Sequence, residues 1–454
     1  MANKLFAGFG RVNITPPLGI GLAGYFQIRI ADGVRDELES NALALKVDDK
    51  EIILISIDNI GFENAVMDKI RQSVSEKTGV DSEAVFVHCT HTHTGPRPVI
   101  TEKGTDEASQ ILNEYTTVFM RKVTDSAIIA HNDLKSAKMG FGVSKAEKVA
   151  FIRRYRMKDG SVRTNPGVNN PDIDSPIGIF DDSVSVVRFD RENADDIVLV
   201  NFANHPDTVG GNKISGDWPT LTRGVIEKAI DGVKSIFFNG AEGDVNHVNV
   251  HPKGGDFNGM FNDFDGCSRG YAHTLHIARV IAGAVLQVFD KVEYKDVDKV
   301  AYVQKFYDIP SNKPTAEEMP LARKIVEYHK AGRDDELPYK EMMLTTMLAD
   351  AERKVRLENG PDYFTMRISA VSVGGVGLVG IPGEPFNGVG VGIKETDGYD
   401  MVIPCCLVNG REGYFPMKNA YDEGGYEAAT SKYKVGVAER IIEAGKELLK
   451  VMKD

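Results

Sequence analysis

Apolar runs of three to seven residues alternate along the chain with longer stretches of helical periodicity. The runs Ile52–Ile57, Val85–His88, Ser183–Phe189, Ile197–Ala203, Ser235–Phe238, Arg367–Val373, Val376–Ile381 and Met401–Ile403 read as strands. Helical patterning predicts helices over Glu107–His131, Thr220–Ile230, His273–Phe289 and Tyr433–Met452. This alternation is an α/β signature, a layered sheet core flanked by helices. No repeat, low-complexity tract or Pro/Gly/Ser linker divides the chain, so residues 1–454 are expected to form a single domain. Residues Thr315–Leu357 are charged and helix-favouring, and predict a helical excursion on the rim, placed to cover a site.

Five polar segments begin where an apolar run stops. They are His88–Pro96 after VFV, Asn204–Thr208 after VLVNFA, Asn239–Asn246 after SIFF, Glu384 after GLVGIPG, and Asn409–Tyr414 after MVIPCCL. Reacting groups in α/β proteins gather at the carboxyl ends of strands, so five such loops predict one assembled site.

Composition narrows the classes. With 66 acidic against 54 basic residues the net charge is −12, and no Lys/Arg-rich block exists to track a polyphosphate, so a nucleic-acid partner is not expected. No 18-residue apolar run predicts stable membrane insertion. The N-terminal residues lack a signal-peptide h-region, and Cys89, Cys267, Cys405 and Cys406 lack both disulfide-framework and CxxC spacing; a cytoplasmic location is expected.

The chemistry sits in the loops. In an extended chain His91 and His93, at i and i+2, project to one side and can address one point, a common way of holding a divalent metal. His205 follows a buried strand that Pro206 ends, and reads either as a hydrogen-bonded structural residue or as a ligand. Glu384, between Pro382 and Pro385, reads as a stiffly held carboxylate or as a solvent-facing turn residue. Asn239–Asn246 is Gly-rich but lacks the GK[ST] ending of a phosphate loop, and Asp244 suits a bracing role. Asp217 either braces the site or caps the helix after it, the cap being preferred.

These segments, taken in order, resemble the neutral/alkaline non-lysosomal ceramidase family. The resemblance rests on Ala7–Pro17, Gly24-Tyr25, Thr90–Pro96, Phe202–Pro206, Gly240–Asn246 and Pro382-Gly383-Glu384, and runs to about Ala428. It implies the catalytic-domain fold of that family, without the family's C-terminal immunoglobulin-like domain. It implies zinc (Zn2+) held by His91, His205, Glu384 and Tyr414, with His93 handling protons or the oxyanion, Tyr426 hydrogen-bonding the tetrahedral intermediate, and Arg154 as the family's site arginine. The implied reaction is hydrolysis of an amide (N-acyl) bond by zinc-bound hydroxide, which in the family belongs to sphingolipid metabolism. Phe415–Tyr421 departs from the family's Thr/Glu-rich stretch between the two tyrosines, so a small non-lipid amide or a lactone stands as an alternative substrate to a lipid-like amide. A non-catalytic metal- or ligand-binding relative is a further alternative, set against the presence of every matched residue type. A (β/α)8 amidohydrolase would need its His pair after the first strand and a bridging Lys, neither of which this sequence offers.

Overall fold

The computed structural model describes residues 5–453 apart from 26, 28, 101–103, 258 and 263–267. The first half builds strands Leu5–Asn13 (β1), Glu39–Val47 (β2), Lys50–Ile57 (β3), Val85–Cys89 (β4), Lys135–Lys145 (β5), Ser183–Arg191 (β6), Asp196–Phe202 (β7), Val233–Asn239 (β8) and Glu293–Lys295 (β9). Helices Asn64–Thr78 (α1), Glu107–Asn132 (α2), Asp217–Ala229 (α3) and Tyr271–Phe289 (α4) lie among them. The nine strands form one mixed sheet in the order β8-β7-β6-β5-β1-β2-β3-β4, with β9 beside β5. Only β3/β4 and β7/β8 pair in parallel, joined through α1 and α3 respectively.

The second half gives Val300–Pro310 (β10), Tyr363–Val373 (β11), Val376–Gly380 (β12) and Met401–Cys405 (β13), a four-stranded sheet in that order with β12/β13 parallel. Helices Met319–Lys330 (α5), Glu341–Leu357 (α6), Asn387–Lys394 (α7), Lys418–Glu423 (α8), Tyr426–Thr430 (α9) and Val437–Lys453 (α10) complete it. The expected α/β class with helix-flanked sheets holds. The excursion over 315–357 is the α5/α6 pair, held together by Ala322, Ile325, Val326, Leu337, Leu348 and Ala351.

Burial accounts for these elements. β3 reads KEIILISI and is buried at every residue but Lys50, which is why its apolar run is continuous rather than alternating. Gly10 in β1 exists to admit α2, because a Cβ there would lie 2.0 Å from the Ser126 carbonyl oxygen. α4 is long and apolar enough to cross a membrane by length and composition, which the run-based reading had not counted. Its Ile277, Ile281, Ala282 and Val285 are buried in one core cluster with Val184 and Val186 of β6 and Val198 and Val200 of β7. α10 begins after Gly436, whose φ of 100° ends the preceding loop, and covers the second sheet through Ile441, Ala444, Leu448 and Leu449.

The long sheet curls until its two edges touch. The Asn239 N–H at the end of β8 donates to His88 Nε2 on β4 at 3.0 Å. The second sheet closes the seam: Cys406 N–H donates to Asn239 O (3.1 Å) and Asn409 N–H to Val87 O (2.8 Å). The carboxyl ends of β4, β7, β8, β12 and β13, all members of parallel pairs, therefore open on one place. Cys89, Cys405 and Cys406 are buried free thiols there or nearby; Cys267 lies outside the described residues.

Candidate functional site

Beyond β4 the chain does not stay extended. Thr90 and His91 N–H bond to Ile57 O (2.9 Å) and Asn59 O (2.8 Å), and His91 takes φ 76°, a left-handed conformation that a residue with a Cβ adopts at a cost. The two imidazoles still converge, Nε2 to Nε2 at 3.3 Å, through this strained turn and not through i, i+2 strand geometry. His91 Nδ1 lies 2.8 Å from Ile60 O, and a carbonyl only accepts, so Nδ1 carries the proton and Nε2 presents its lone pair.

His205 arrives from the end of β7, tied to the first loop by His93 N–H donating to Pro206 O at 3.3 Å. Its Nε2 stands 3.2 Å from His91 Nε2. Glu384 follows β12, and its Oε2 is 3.4 Å from His91 Nε2 with no hydrogen-bond donor of its own. Two ligands of a tetrahedral zinc at about 2.0–2.1 Å stand about 3.3 Å apart. Lone pairs facing each other at that spacing in a buried place fit a shared cation. His91, His205, Glu242 and Glu384 are all buried and each offers a donor atom within 4.8 Å of the others; His91, His93 and His205 do the same.

Tyr414 is the register partner of Glu384 in a two-residue parallel bridge, and its hydroxyl hydrogen-bonds the Glu384 carboxylate. Tyr426, at the start of α9, stands with its ring 5.7 Å from that of Tyr414, nearly perpendicular. Arg154 does not reach this cluster. Neighbours in an extended chain project oppositely, so Arg154 turns to Glu423 (3.1 Å) and Gly424 O (2.9 Å) behind α9. Arg153 is the arginine at the site, donating to Gly243 O at 2.7 Å, ion-paired with Glu427 at 2.7 Å and 5.5 Å from the Tyr414 ring centre.

Electrostatics follow from burial and these pairs. Glu384 is drawn down to about 2, because His91, Arg411 and the Tyr414 hydroxyl outweigh the burial that would raise it. His91 is raised although burial opposes it, chiefly by Glu384. His93 is held down to about 3 by burial and is neutral at pH 7. Its Nδ1 lies 3.7 Å from Asp207, whose carboxyl burial would raise but Arg269, paired to it at 3.0 Å, holds well below the usual range. Burial, then Glu384, raises the Tyr414 phenol.

His91, His93, His205, Glu384, Tyr414 and Tyr426 line one cavity of about 560 Å3. Its outer wall comes from α6 and the residues before it, including His329, Glu341, Thr345, Glu352, Arg353 and Arg356, so the helical excursion does border the site. The two bracing aspartates separate. Asp244 accepts from Asn387 N–H at the start of α7 (2.7 Å). Asp217, the first residue of α3 at φ 59°, accepts from the N–H groups of Thr208 (2.9 Å), Val209 (3.0 Å) and Trp218 (2.6 Å). It thereby holds the chain just beyond His205 as well as the helix start.

Sequence reasoning passed over Glu242, Arg153, Asp207, Arg269 and Arg411. Glu242, Asp207 and Arg411 lie inside polar segments it had singled out, and Arg154 was named where its neighbour Arg153 reaches the site; Arg269 carries no local signal.

No protein of curated function matches this sequence. Among solved structures, the neutral ceramidase of Pseudomonas aeruginosa superposes with a TM-score of 0.71 at 18% identity, over 99% of this chain and 74% of that one. A ceramidase complexed with C2 gives 0.72 at 16% identity, over 99% and 75%. The profile described as "Neutral/alkaline non-lysosomal ceramidase, N-terminal" matches residues 6–257, more than half the chain, and with it the chain belongs to the neutral/alkaline non-lysosomal ceramidase family.

Proposed function

We propose that this chain is a zinc-dependent hydrolase of an amide (N-acyl) bond. Family membership supports a hydrolase, and the buried His/Glu cluster supports a metal ion in it. The observation that carries the reading is the meeting of His91, His205 and Glu384, from three distant stretches of chain, at tetrahedral-edge spacing on the wall of a cavity. Tyr414, beside Glu384, joins them in the proposed ligand set.

Zinc bound there supplies a Lewis acid and brings the pKa of water down to about 7. The protein's own groups do the rest. His93, neutral and with Nδ1 toward Asp207, offers Nε2 to take a proton from the attacking water and return it to the leaving nitrogen. The Tyr426 hydroxyl, kept protonated because burial and Glu384 raise its pKa, donates to the developing oxyanion. Arg153, anchored by Glu427 and Gly243, adds fixed positive charge beside Tyr414.

Within this reading the cavity favours a compact polar acyl amide over a long lipid chain. Arg97, Arg153, Arg269, Arg353, Arg356 and Arg411 border it with Asp207, Asp334, Glu341 and Glu352 and so favour polar substituents on the substrate, while the apolar surface beside them is limited to Ile60 and the α6 residues Met342, Leu344, Leu348 and Ala349. The test is zinc analysis of the purified protein, then turnover of polar N-acyl amides, ceramide and lactones with and without a chelator. We expect about one zinc per chain, chelator-sensitive cleavage, and polar amides ahead of ceramide. Full turnover by metal-free protein would overturn the proposal.

A further inference from the structure

We propose that Glu242 is a direct ligand of the bound ion, reaching it from the side away from the cavity. The inference rests on the metal-site reading above. Glu242 lies in the loop after β8 and is fully buried, and among the described residues neither of its carboxylate oxygens has a hydrogen-bond partner. A carboxylate taken out of water without N–H or O–H donors either takes up a proton or is held charged by a cation beside it. The group beside it able to donate is the Cys406 thiol, a weak donor. What Glu242 does have within reach is the cluster itself: one of its oxygens is within 4.8 Å of the donor atoms of His91, His205 and Glu384.

The loop is fixed in that position. Gly243 N–H donates to Pro385 O at 2.8 Å, and the backbones are so close that a Cβ on Gly243 would lie 2.5 Å from Glu384 O. Arg153 clamps Gly243 O from the other side at 2.7 Å, and Asp244 is held by Asn387 at 2.7 Å. Two adjacent strand-end loops thus present two carboxylates to one pair of imidazoles.

Access separates a ligand from a general base. His93, Glu384, Tyr414 and Tyr426 line the cavity, and Glu242 does not. A residue that substrate cannot approach has no proton of the substrate's to move, but it can close the inner face of a coordination shell.

Glu242→Gln and Glu242→Asp test this together, one removing the charge and the other withdrawing the carboxylate by one methylene. The readouts are zinc affinity by chelator competition, the visible spectrum of the cobalt-substituted protein, and the melting temperature with and without zinc. Outer-sphere partners typically change metal affinity by about 10–100-fold. For a ligand we expect Glu242→Gln to bind zinc at least about 100-fold more weakly, both variants to shift the cobalt spectrum, and Glu242→Gln to melt above the parent without metal and below it with zinc. An unchanged cobalt spectrum, with any smaller loss of affinity, overturns the assignment. If the parent protein itself binds neither zinc nor cobalt, the metal-site reading fails first.

Discussion

His93 separates the reading of the site into two measurable parts. Its Nε2 is 3.3 Å from His91 Nε2, near enough to be a ligand, yet it borders the cavity and is the most exposed of the three histidines at 8%. If it moves protons, His93→Ala leaves His91, His205 and Glu384 in place and the zinc bound. The lost proton transfer is worth about 10²–10⁴-fold, or about 2.7–5.4 kcal/mol on the barrier at about 1.36 kcal/mol per tenfold. The assay is kcat and zinc content on one preparation, with His91→Ala in parallel. Zinc near one equivalent and kcat down at least about 100-fold is the expected pair for His93→Ala, against loss of both for His91→Ala. Loss of zinc from His93→Ala in step with His91→Ala would show it to be a ligand and refute the reasoning, as would a fall in kcat under about tenfold.

Tyr426→Phe, assayed by steady-state kinetics, is expected to lower kcat by about 10²–10³ with little change in KM, because its hydroxyl matters only once the oxyanion forms. Arg411 borders the cavity near Glu384 and Tyr426, and no described carboxylate is ion-paired with it. Arg411→Gln should raise KM about tenfold for substrates carrying a carboxylate, about 1.4 kcal/mol, and barely change it for neutral ones. Glu412 receives hydrogen bonds from Asn64 (2.6 Å), Tyr433 (3.0 Å) and Lys432. Its carboxyl is held below the ordinary 4.5, since Lys432 and these donors outweigh the burial that would raise it. Its contribution is therefore complete above about pH 4.5 and is lost as the pH falls through the lowered folded value. Glu412→Gln should cost about 1–3 kcal/mol at pH 7 by thermal melting, with the gap closing toward about pH 3.

What the sequence disclosed follows from how local the signal is. Strands buried on both faces, such as β3 and β12, are continuous apolar runs and can be read directly. β1 and β5 are interrupted by Gly8, Gly10, Gly140 and Gly142, which serve neighbours far along the chain: a Cβ on Gly10 would meet α2, and one on Gly140 would meet Val292 at 2.7 Å. Such a glycine looks like a loop until its partner is known. Strand-end position predicted that the loops carrying His91, His205, Glu384 and Tyr414 meet, because the carboxyl ends of parallel strands share a direction; that these four form one ligand set was implied by the family resemblance. It did not distinguish Arg153 from Arg154, where one residue reverses the side faced, nor Glu242 from Asp244 in one loop. Those choices depend on β8 meeting β4 across the seam, a contact between strands about 150 residues apart with no local trace.

The sheets fix the reacting groups, and the α5/α6 pair supplies the outer cavity wall, but the two are not mechanically separate. Arg353 of α6 borders the cavity and also donates to Ala429 O in α9 and to Asn312 O, each at 2.7 Å. α9 begins with Tyr426, and Arg154 holds the turn before it through Glu423 and Gly424. Tyr426, the oxyanion donor of the proposed mechanism, is thus held between the cavity wall and the arginine that the family resemblance had placed in the site itself. A hydrogen bond to an oxyanion loses much of its worth with a displacement of a few tenths of an ångström, since donors must sit about 2.7–3.1 Å from where the charge develops. On the proposed mechanism, steady-state kinetics should show substitutions that only reshape the α6 wall altering KM, and those that loosen Arg353 lowering kcat as well. Under the proposed mechanism, Arg353 would couple substrate choice to rate without being one of the proposed reacting groups.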